Sequence, residues 1–325
     1  MLDGTVAASS HDFAAVTVNQ HSANRNFIPT SRQTRLFQSR LHSGKVKIIN
    51  HKGFVMANSE KSKTDIHNPE RGERIAKVLA RLGVASRRDA EKLIEAGRVV
   101  LNGETVTSPA TFVTPQDKIE VDGQKQGKKE KTRLFLYHKP SGLITTAKDP
   151  EGRPTVFEHL PDGLPRLISV GRLDLNTEGL LLLTNDGALS RMLELPSTGL
   201  ERTYRVRVHK GDTGPRNKLT LDERLEKLGE GLVWKGTRYG SIAASVDEQQ
   251  KTDSRNTWIT MTLTEGKNRE IRNVMEAIGY QVSRLIRVSY GPFELSDLPR
   301  GEIYEVPARE LKSVLPEDVL DVIQL

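Results

Sequence analysis

Cysteine is absent from the 325 residues of this chain. That excludes disulfides, thiolate zinc sites and a cysteine nucleophile, and it suits a reducing, cytoplasmic compartment. Long apolar runs are also missing. Leu180–Leu183 is four residues long, against the roughly 20 that a membrane-spanning helix needs. Residues 1–55 contain no glutamate. Gly127-Lys128 and Gly266-Lys267 lack the upstream glycine of a P-loop, and there is no Gly-x-Ser-x-Gly elbow. His138, His159 and His209 are scattered, without metal-ligand spacing, and read as surface or turn residues. Neither a metal nor a cofactor is expected.

What remains is a polar chain, 36% hydrophobic and 28% charged, long enough for two domains with a sizeable core. Its formal net charge of +7 points to an anionic partner. The charge is uneven. Residues 1–55 carry seven Lys/Arg against two Asp, or +5, which leaves +2 for the rest. If the body binds nucleic acid, its cations must be gathered in patches.

Residues 1–68 read as a disordered basic tail without periodicity. Met56-Ala57-Asn58-Ser59 would be a natural start just before the first folded segment. The alternative is an organellar transit peptide, which is typically basic and acid-poor, although these arginines fall on no single amphipathic helix. Residues 69–123 form a compact unit. Ile75, Val78, Leu79 and Leu82 make the stripe of a core-facing helix, and Arg74, Lys77 and Arg81 make a second stripe on another face. Ser86 caps a second helix, with Arg87 and Arg88 in its first turn and Ala90, Leu93 and Ile94 on its buried side. Val99–Leu101 reads as a strand running into an Asn102-Gly103 type I′ turn. Residues 124–132 read as a charged linker.

A second domain is expected over 133–310, followed by a C-terminal tail over 311–325. Strands are predicted at 134–137, 168–170, 180–184, 203–208, 241–246, 257–263, 281–288 and 303–306. Helices are predicted near 188, over 218–228 and over 268–278, and His138 to Gly142 reads as a turn. Antiparallel strands interleaved with a few helices make the class α+β, with a mixed, mainly antiparallel sheet.

The most informative string is Gly171-Arg172-Leu173-Asp174-Leu175-Asn176-Thr177-Glu178-Gly179, running into Leu180–Thr184. It sets an arginine and a carboxylate at the mouth of an apolar strand. Taken alone, Asp174 could be a turn residue paired with Arg172. The string has company: Lys139-Pro140-Ser141-Gly142, Glu201-Arg202-Thr203-Tyr204, Glu265-Gly266-Lys267-Asn268-Arg269-Glu270 and Ser283-Arg284-Leu285-Ile286-Arg287. Together these resemble the pseudouridine synthases that modify ribosomal RNA. Ala85-Ser86-Arg87-Arg88 and Gly97-Arg98-Val99 to Val106 resemble the S4 RNA-binding domain that precedes the catalytic domain in one branch of them. Gln281–Gly291 and Leu298-Pro299-Arg300-Gly301 are more similar to the large-subunit (23S) type than to the small-subunit type.

The resemblance implies a reaction. Uridine becomes pseudouridine when C1′–N1 breaks, the base turns over and C1′ joins C5, with no redox step or phosphate donor. It makes Asp174 the essential carboxylate. Two routes are open to it, attack on the nucleoside or proton abstraction from the sugar. Arg172 would hold Asp174 in place, Tyr204 would lie against the flipped base, and Leu285 would wall the pocket. Lys267, just before a helix start, would face phosphate. Arg269 and Arg272 share a helix face, which could equally be a solvated one. Arg74, Lys77, Arg81, Arg87, Arg88 and Arg98 would bind RNA through the S4 unit, and the protein would be a monomer. The alternatives are a synthase acting on 16S ribosomal RNA or transfer RNA, and a non-enzymatic ribosome-assembly factor. Only an enzyme accounts for a second domain bearing Arg172, Asp174 and Tyr204.

Overall fold

The stripe that begins at Ile75 forms a helix because its apolar residues recur on one side and glycine ends it. In the computed structural model, which describes residues 72–127, 130–211, 218–247, 256–321, 323 and 325, this helix is α1 (Ile75–Arg81). Ile75, Ala76 and Leu79 are buried, while Val78 and Leu82 sit at the margin of the cluster. Ala76 is buried in the same cluster as Ala90 and Ile94 of α2 (Arg87–Glu95). Ser86 caps α2 as predicted, its hydroxyl accepting the Asp89 N–H at 3.1 Å.

Beside the two helices lies a four-stranded sheet, ordered β3 (Glu104–Thr105), β2 (Val99–Leu101), β5 (Ile119–Val121), β6 (Gln124–Lys125). Asn102 and Gly103 both have positive φ, 52° and 91°, as a type I′ turn demands. A two-residue pair, β1 (Glu73–Arg74) with β4 (Phe112–Val113), completes the unit. The linker expected over 124–132 is shorter at both ends. Gln124–Lys125 is a strand, and the buried Thr132 donates to Asp186 Oδ2 at 2.8 Å.

The second unit is built on a nine-stranded sheet. Its path is β13 (Ala243–Val246), β14 (Thr257–Leu263), β10 (Arg202–Lys210), β15 (Tyr280–Tyr290), β9 (Thr177–Thr184), β7 (Leu134–Lys139), β17 (Ile303–Glu305). Two short strands lie off this path, β8 (Ile168–Val170) on β9 and β16 (Phe293–Glu294) on β15, and β11 (Leu232–Trp234) with β12 (Thr237–Tyr239) forms a separate pair. Every pairing is antiparallel except β15 with β9. The α+β class with a mixed, mainly antiparallel sheet therefore holds. The predicted strands are present, four of the eight longer than expected and two shorter, while residues 248–255 between two of them and the tail 1–68 lie outside the described residues.

On one face, loops from 143 to 173 cover β7 and β9, burying Leu143, Val156, Leu173, Leu181 and Leu183. Farther along that face, α4 (Leu221–Glu226) and α5 (Glu270–Ala277) cover β10, β14 and β15. A cleft runs between these coverings. On the reverse face, α3 (Gly187–Glu194), α6 (Ala308–Val314) and α7 (Glu317–Leu320) pack over β7, β8 and β9. Residues 311–325 are thus not a free tail, since Leu311, Val314, Leu315, Val319 and Ile323 are buried in the same cluster as Leu134 and Leu180. The apolar pattern is hard to follow here because Pro307 and Pro316 interrupt it, yet each stands where a helix begins.

Strands β9 and β15 approach tightly at Gly179. Its φ is +103°, and a Cβ there would lie 2.2 Å from the Arg287 carbonyl oxygen. Glycine is required at this seam, and Thr177-Glu178-Gly179, which precede the strand expected at 180–184, are the first part of β9.

Candidate active site

Asp174 stands in the loop that enters β9. Its main chain is pinned from three sides. Lys139 is the last residue of β7, fully buried, and its Nζ donates to the carbonyl oxygens of Pro140 (3.1 Å), Asp174 (3.2 Å), Leu175 (3.3 Å) and Thr177 (2.8 Å). The Thr145 hydroxyl donates to Leu173 O at 3.0 Å and accepts the Leu173 N–H at 3.3 Å. Gly142 N–H donates to Leu175 O at 2.8 Å. The loop is thus wrapped around one ammonium group. Burial pulls that ammonium down to about 8, against the upward pull of the Asp174 and Glu178 charges. The expected turn at 138–142 therefore begins after Lys139. The sequence signal for this lysine was Lys139-Pro140 following an apolar strand, but nothing local said that its side chain turns inward.

The Asp174 carboxylate is treated differently from its backbone. Among the described residues it accepts no hydrogen bond, and its ion partner is Arg269, Nη1 to Oδ2 at 3.9 Å. The expectation that Arg172 holds Asp174 is corrected: Arg172 is exposed on the cleft wall and forms no ion pair with it. The partner comes instead from residue 269, nearly a hundred positions away, which a local reading could not pair with 174. Arg269 caps α5 in the left-handed conformation, φ +51°, an uncommon state for a non-glycine residue and typical of functional sites. Arg272, one turn on, reaches the Val282 carbonyl at 3.1 Å and the Asn176 carbonyl at 3.5 Å, tying the end of the loop to β15. Arg272 is thus held in place, while Arg269 stays exposed at the cleft beside Asp174.

The cleft, about 260 Å³, is lined by Arg172, Asp174, Tyr204, Lys267, Arg269 and Leu285, among others. Arg172, Asp174, Tyr204, Lys267 and Leu285 were all expected there, and the fold brings them together. Tyr204 comes from β10, half-buried between the two clusters that flank the cleft. Its hydroxyl makes no hydrogen bond among the described residues. Leu285 is 5% exposed and belongs to the buried core while it walls the cleft. Lys267 departs from expectation, because its ammonium is paired with Glu265 rather than free. Its backbone N–H donates to Glu270 Oε2 at 2.8 Å. Glu270 is itself buried, which pushes its carboxyl upward.

Two further arginines line the cleft without any sequence signal of their own, although both lie in strings already noted. Arg202 and Arg287 are 8% and 2% exposed and have no carboxylate partner among the described residues. Arg202 Nη1 donates to Leu200 O at 2.9 Å, and Nη2 to the Tyr290 hydroxyl at 2.9 Å. Arg287 Nε donates to Leu180 O at 2.7 Å, while its Nη2 is buried without a partner. Their guanidinium carbons lie 4.6 and 5.0 Å from the centre of the Tyr290 ring. Buried cations without counter-ions are costly, and an anionic substrate in the cleft would offset that cost.

In the first unit the six expected RNA-binding cations divide into two groups. Lys77 and Arg81 both bind Glu73, at 2.6 Å for Lys77. Burial raises the Glu73 carboxyl, but the two cations outweigh it and bring it below the usual range. Arg98 makes a bidentate pair with Asp122, at 2.7 and 2.6 Å. Arg74, Arg87 and Arg88 are exposed and form no ion pair among the described residues.

Comparison with known proteins agrees with this arrangement. Residues 133–277 match the RNA pseudouridylate synthase family and residues 73–119 match the S4 domain. An RNA pseudouridine synthase of Rickettsia conorii is 47% identical over 74% of this chain and 99% of its own length. Ribosomal large subunit pseudouridine synthase B of Salmonella typhi is 45% identical over 70% of this chain and 77% of its own length. A crystal structure of a pseudouridylate synthase superposes with a TM-score of 0.50 at 25% identity, covering 74% of this chain and 99% of that one. With the fold, the cleft and these likenesses in agreement, the chain belongs to the RNA pseudouridine synthase family, as an isomerase whose catalytic domain follows an S4 domain.

Proposed function

We propose that this enzyme isomerises a uridine of large-subunit (23S) ribosomal RNA in the cytoplasm, with Asp174 as the essential carboxylate. One observation carries the catalytic assignment: the Asp174 backbone is clamped by Lys139, while its carboxylate faces the cleft without a hydrogen-bond donor. That is the state of a group held ready for substrate. The large-subunit target is supported by the 45% identity to the Salmonella typhi protein of that name.

In this reading the target uridine leaves its stack and enters the cleft, at a cost of a few kcal/mol recovered by stacking and hydrogen bonds. Tyr204 lies against the base. Asp174 acts at the sugar or base as C1′–N1 breaks. The base turns over and C1′–C5 forms. C5 then loses its proton and N1 gains one, so the formula is unchanged. In this reading the Tyr204 hydroxyl moves the C5 proton. Arg287 Nη2 offers a donor to a substrate oxygen. The decisive experiment is chemical mapping of pseudouridines in ribosomal RNA with and without this gene. Loss of one large-subunit site is expected, and an unchanged large-subunit map would refute the target.

Lys139 should act on Asp174 from behind. Replacing it with Met leaves four carbonyls without their shared donor and frees the loop. A displacement of about 1 Å at a reacting group can cost about 10²-fold in rate. The Lys139→Met variant should therefore lose kcat by that order, with little change in KM for RNA. The wild-type rate should fall as pH rises through about 8, because the charged ammonium is the form that holds the loop. A flat pH–rate profile between about 7 and 9.5 would remove Lys139 from the mechanism.

For the S4 domain, neutralising Arg74, Arg87 and Arg88 should flatten the salt dependence of RNA binding more than neutralising Lys77, Arg81 and Arg98. Each phosphate that the protein ceases to neutralise lowers the slope of log K against log salt by about 0.7 to 0.9. Equal effects from both triplets would mean that the pairs to Glu73 and Asp122 open on binding.

A further inference from the structure

The reverse face of the sheet is covered over only half its width. Along β10, Tyr204, Val206 and Val208 face the cleft side, so Arg205 and Arg207 face away from it. Register aligns Arg207 with Trp258 on β14 and with Arg284 on β15. Three adjacent strands thus set a tryptophan and two arginines in one row, with Arg205 two residues along β10. The guanidinium carbons of Arg205, Arg207 and Arg284 lie 5.0, 6.0 and 5.9 Å from the Trp258 ring centre. The helices that bury Leu134 and Leu180 on this face stand over β7, β8 and β9. Among the described residues no helix packs over the Trp258 row, and the side chains of Arg205 and Arg284 are 43% and 34% exposed.

The charges of this patch do not balance. Arg205 pairs with Asp247 at 2.7 Å. Arg284 and Arg300 share Glu178, at 2.8 and 3.0 Å. Arg207 donates to the Ser283 hydroxyl at 3.0 Å and has no carboxylate among the described residues. Four guanidiniums against two carboxylates leave two positive charges without a counter-ion among those residues. If the arginines served only to cover an exposed ring, one would suffice, and a further arginine in the same row would add repulsion. Gathered cations held upright on an indole are a surface for an anion.

We propose that this half-face is a second RNA-binding surface, outside the cleft, that grips the phosphate backbone of the substrate away from the target uridine. It rests on the reading of this enzyme as one that acts on ribosomal RNA. The occupant follows from charge: the polyanion this enzyme must hold is RNA, and guanidiniums recognise phosphate irrespective of base. The Trp258 ring serves as the platform that fixes the arginines.

The test compares two RNAs, a long ribosomal fragment and a short hairpin that holds only the target loop. Binding is measured against salt for wild type and for the Arg205→Gln, Arg207→Gln double variant. For the long fragment, the slope should fall by about 0.7 to 0.9, the share of one phosphate at Arg207, and by about twice that if the Arg205–Asp247 pair opens on binding. For the hairpin, slope and single-turnover rate should match wild type, which also shows that the variant is folded. Arg207→Lys keeps the charge and should keep the slope, so it tests the surface even if the double variant misfolds: Arg207→Glu beside it should weaken long-fragment binding selectively. An unchanged long-fragment slope in the double variant overturns the proposal and points to an acidic protein segment as the occupant. The parent reading fails separately, if wild type forms no pseudouridine in either RNA.

Discussion

Asp174→Asn is expected to abolish pseudouridine formation and to leave RNA affinity near that of wild type. The substitution keeps the size of the side chain and removes its charge. The loop should keep its shape, because the bonds from Lys139, Thr145 and Gly142 go to main-chain atoms at 173–177 and not to the carboxylate. Binding should survive because the cations of the S4 domain and of the cleft remain. The loss should exceed about 10⁴-fold, the upper end for one acid–base group, since the same carboxylate is asked to start the bond cleavage. Single-turnover conversion of a target RNA fragment, with protein purified away from host synthases, gives the measurement. Appreciable turnover would remove Asp174 from the chemistry, whatever its position.

The second large effect concerns Tyr204. Its ring reaches the cleft from β10, and its hydroxyl has no hydrogen-bond partner among the described residues. A phenol kept for structure would bond to a neighbour, as the Tyr290 hydroxyl does to Leu193 O at 2.9 Å. Tyr204→Phe keeps the stacking surface. It should bind RNA normally and turn over about 10²–10⁴-fold more slowly if the hydroxyl moves the C5 proton. Tyr204→Ala also loses stacking worth about 1–3 kcal/mol, and should be poor in both binding and turnover. If Phe equals wild type, the hydroxyl is a bystander and the ring only stacks. If Ala equals wild type as well, Tyr204 belongs to the core and not to the site.

These two variants rest on residues that were legible because each lies in a short string resembling the family's; taken alone, Asp174 read equally as a turn residue and Tyr204 as a strand residue of the core. Asp174 follows a glycine and precedes an apolar strand, and Tyr204 opens an alternating one. Most strands were legible as period-two patterns bounded by turn residues. What could not be read depends on distance. The pairing of Asp174 with Arg269, the inward path of Lys139 and the burial of Arg202 and Arg287 are all set by which strands become neighbours. Arg172 misled because sequence proximity stood in for spatial proximity. The C-terminal helices were missed because two prolines interrupt a pattern whose apolar residues still meet on one cluster.

The parallel pairing of β9 with β15 has a consequence in time. Thr177 and Leu285 are register partners 108 positions apart (285 − 177). As the chain is synthesised, the aspartate loop emerges first and can fold early around the lysine of β7, its near neighbour in sequence. The strand that closes the cleft emerges about 5 to 20 s later at typical elongation rates. Until then a nascent chain can own a folded S4 domain and a shaped loop yet no site. A polypeptide cut short before 280 would therefore grip RNA as a silent competitor of the complete enzyme.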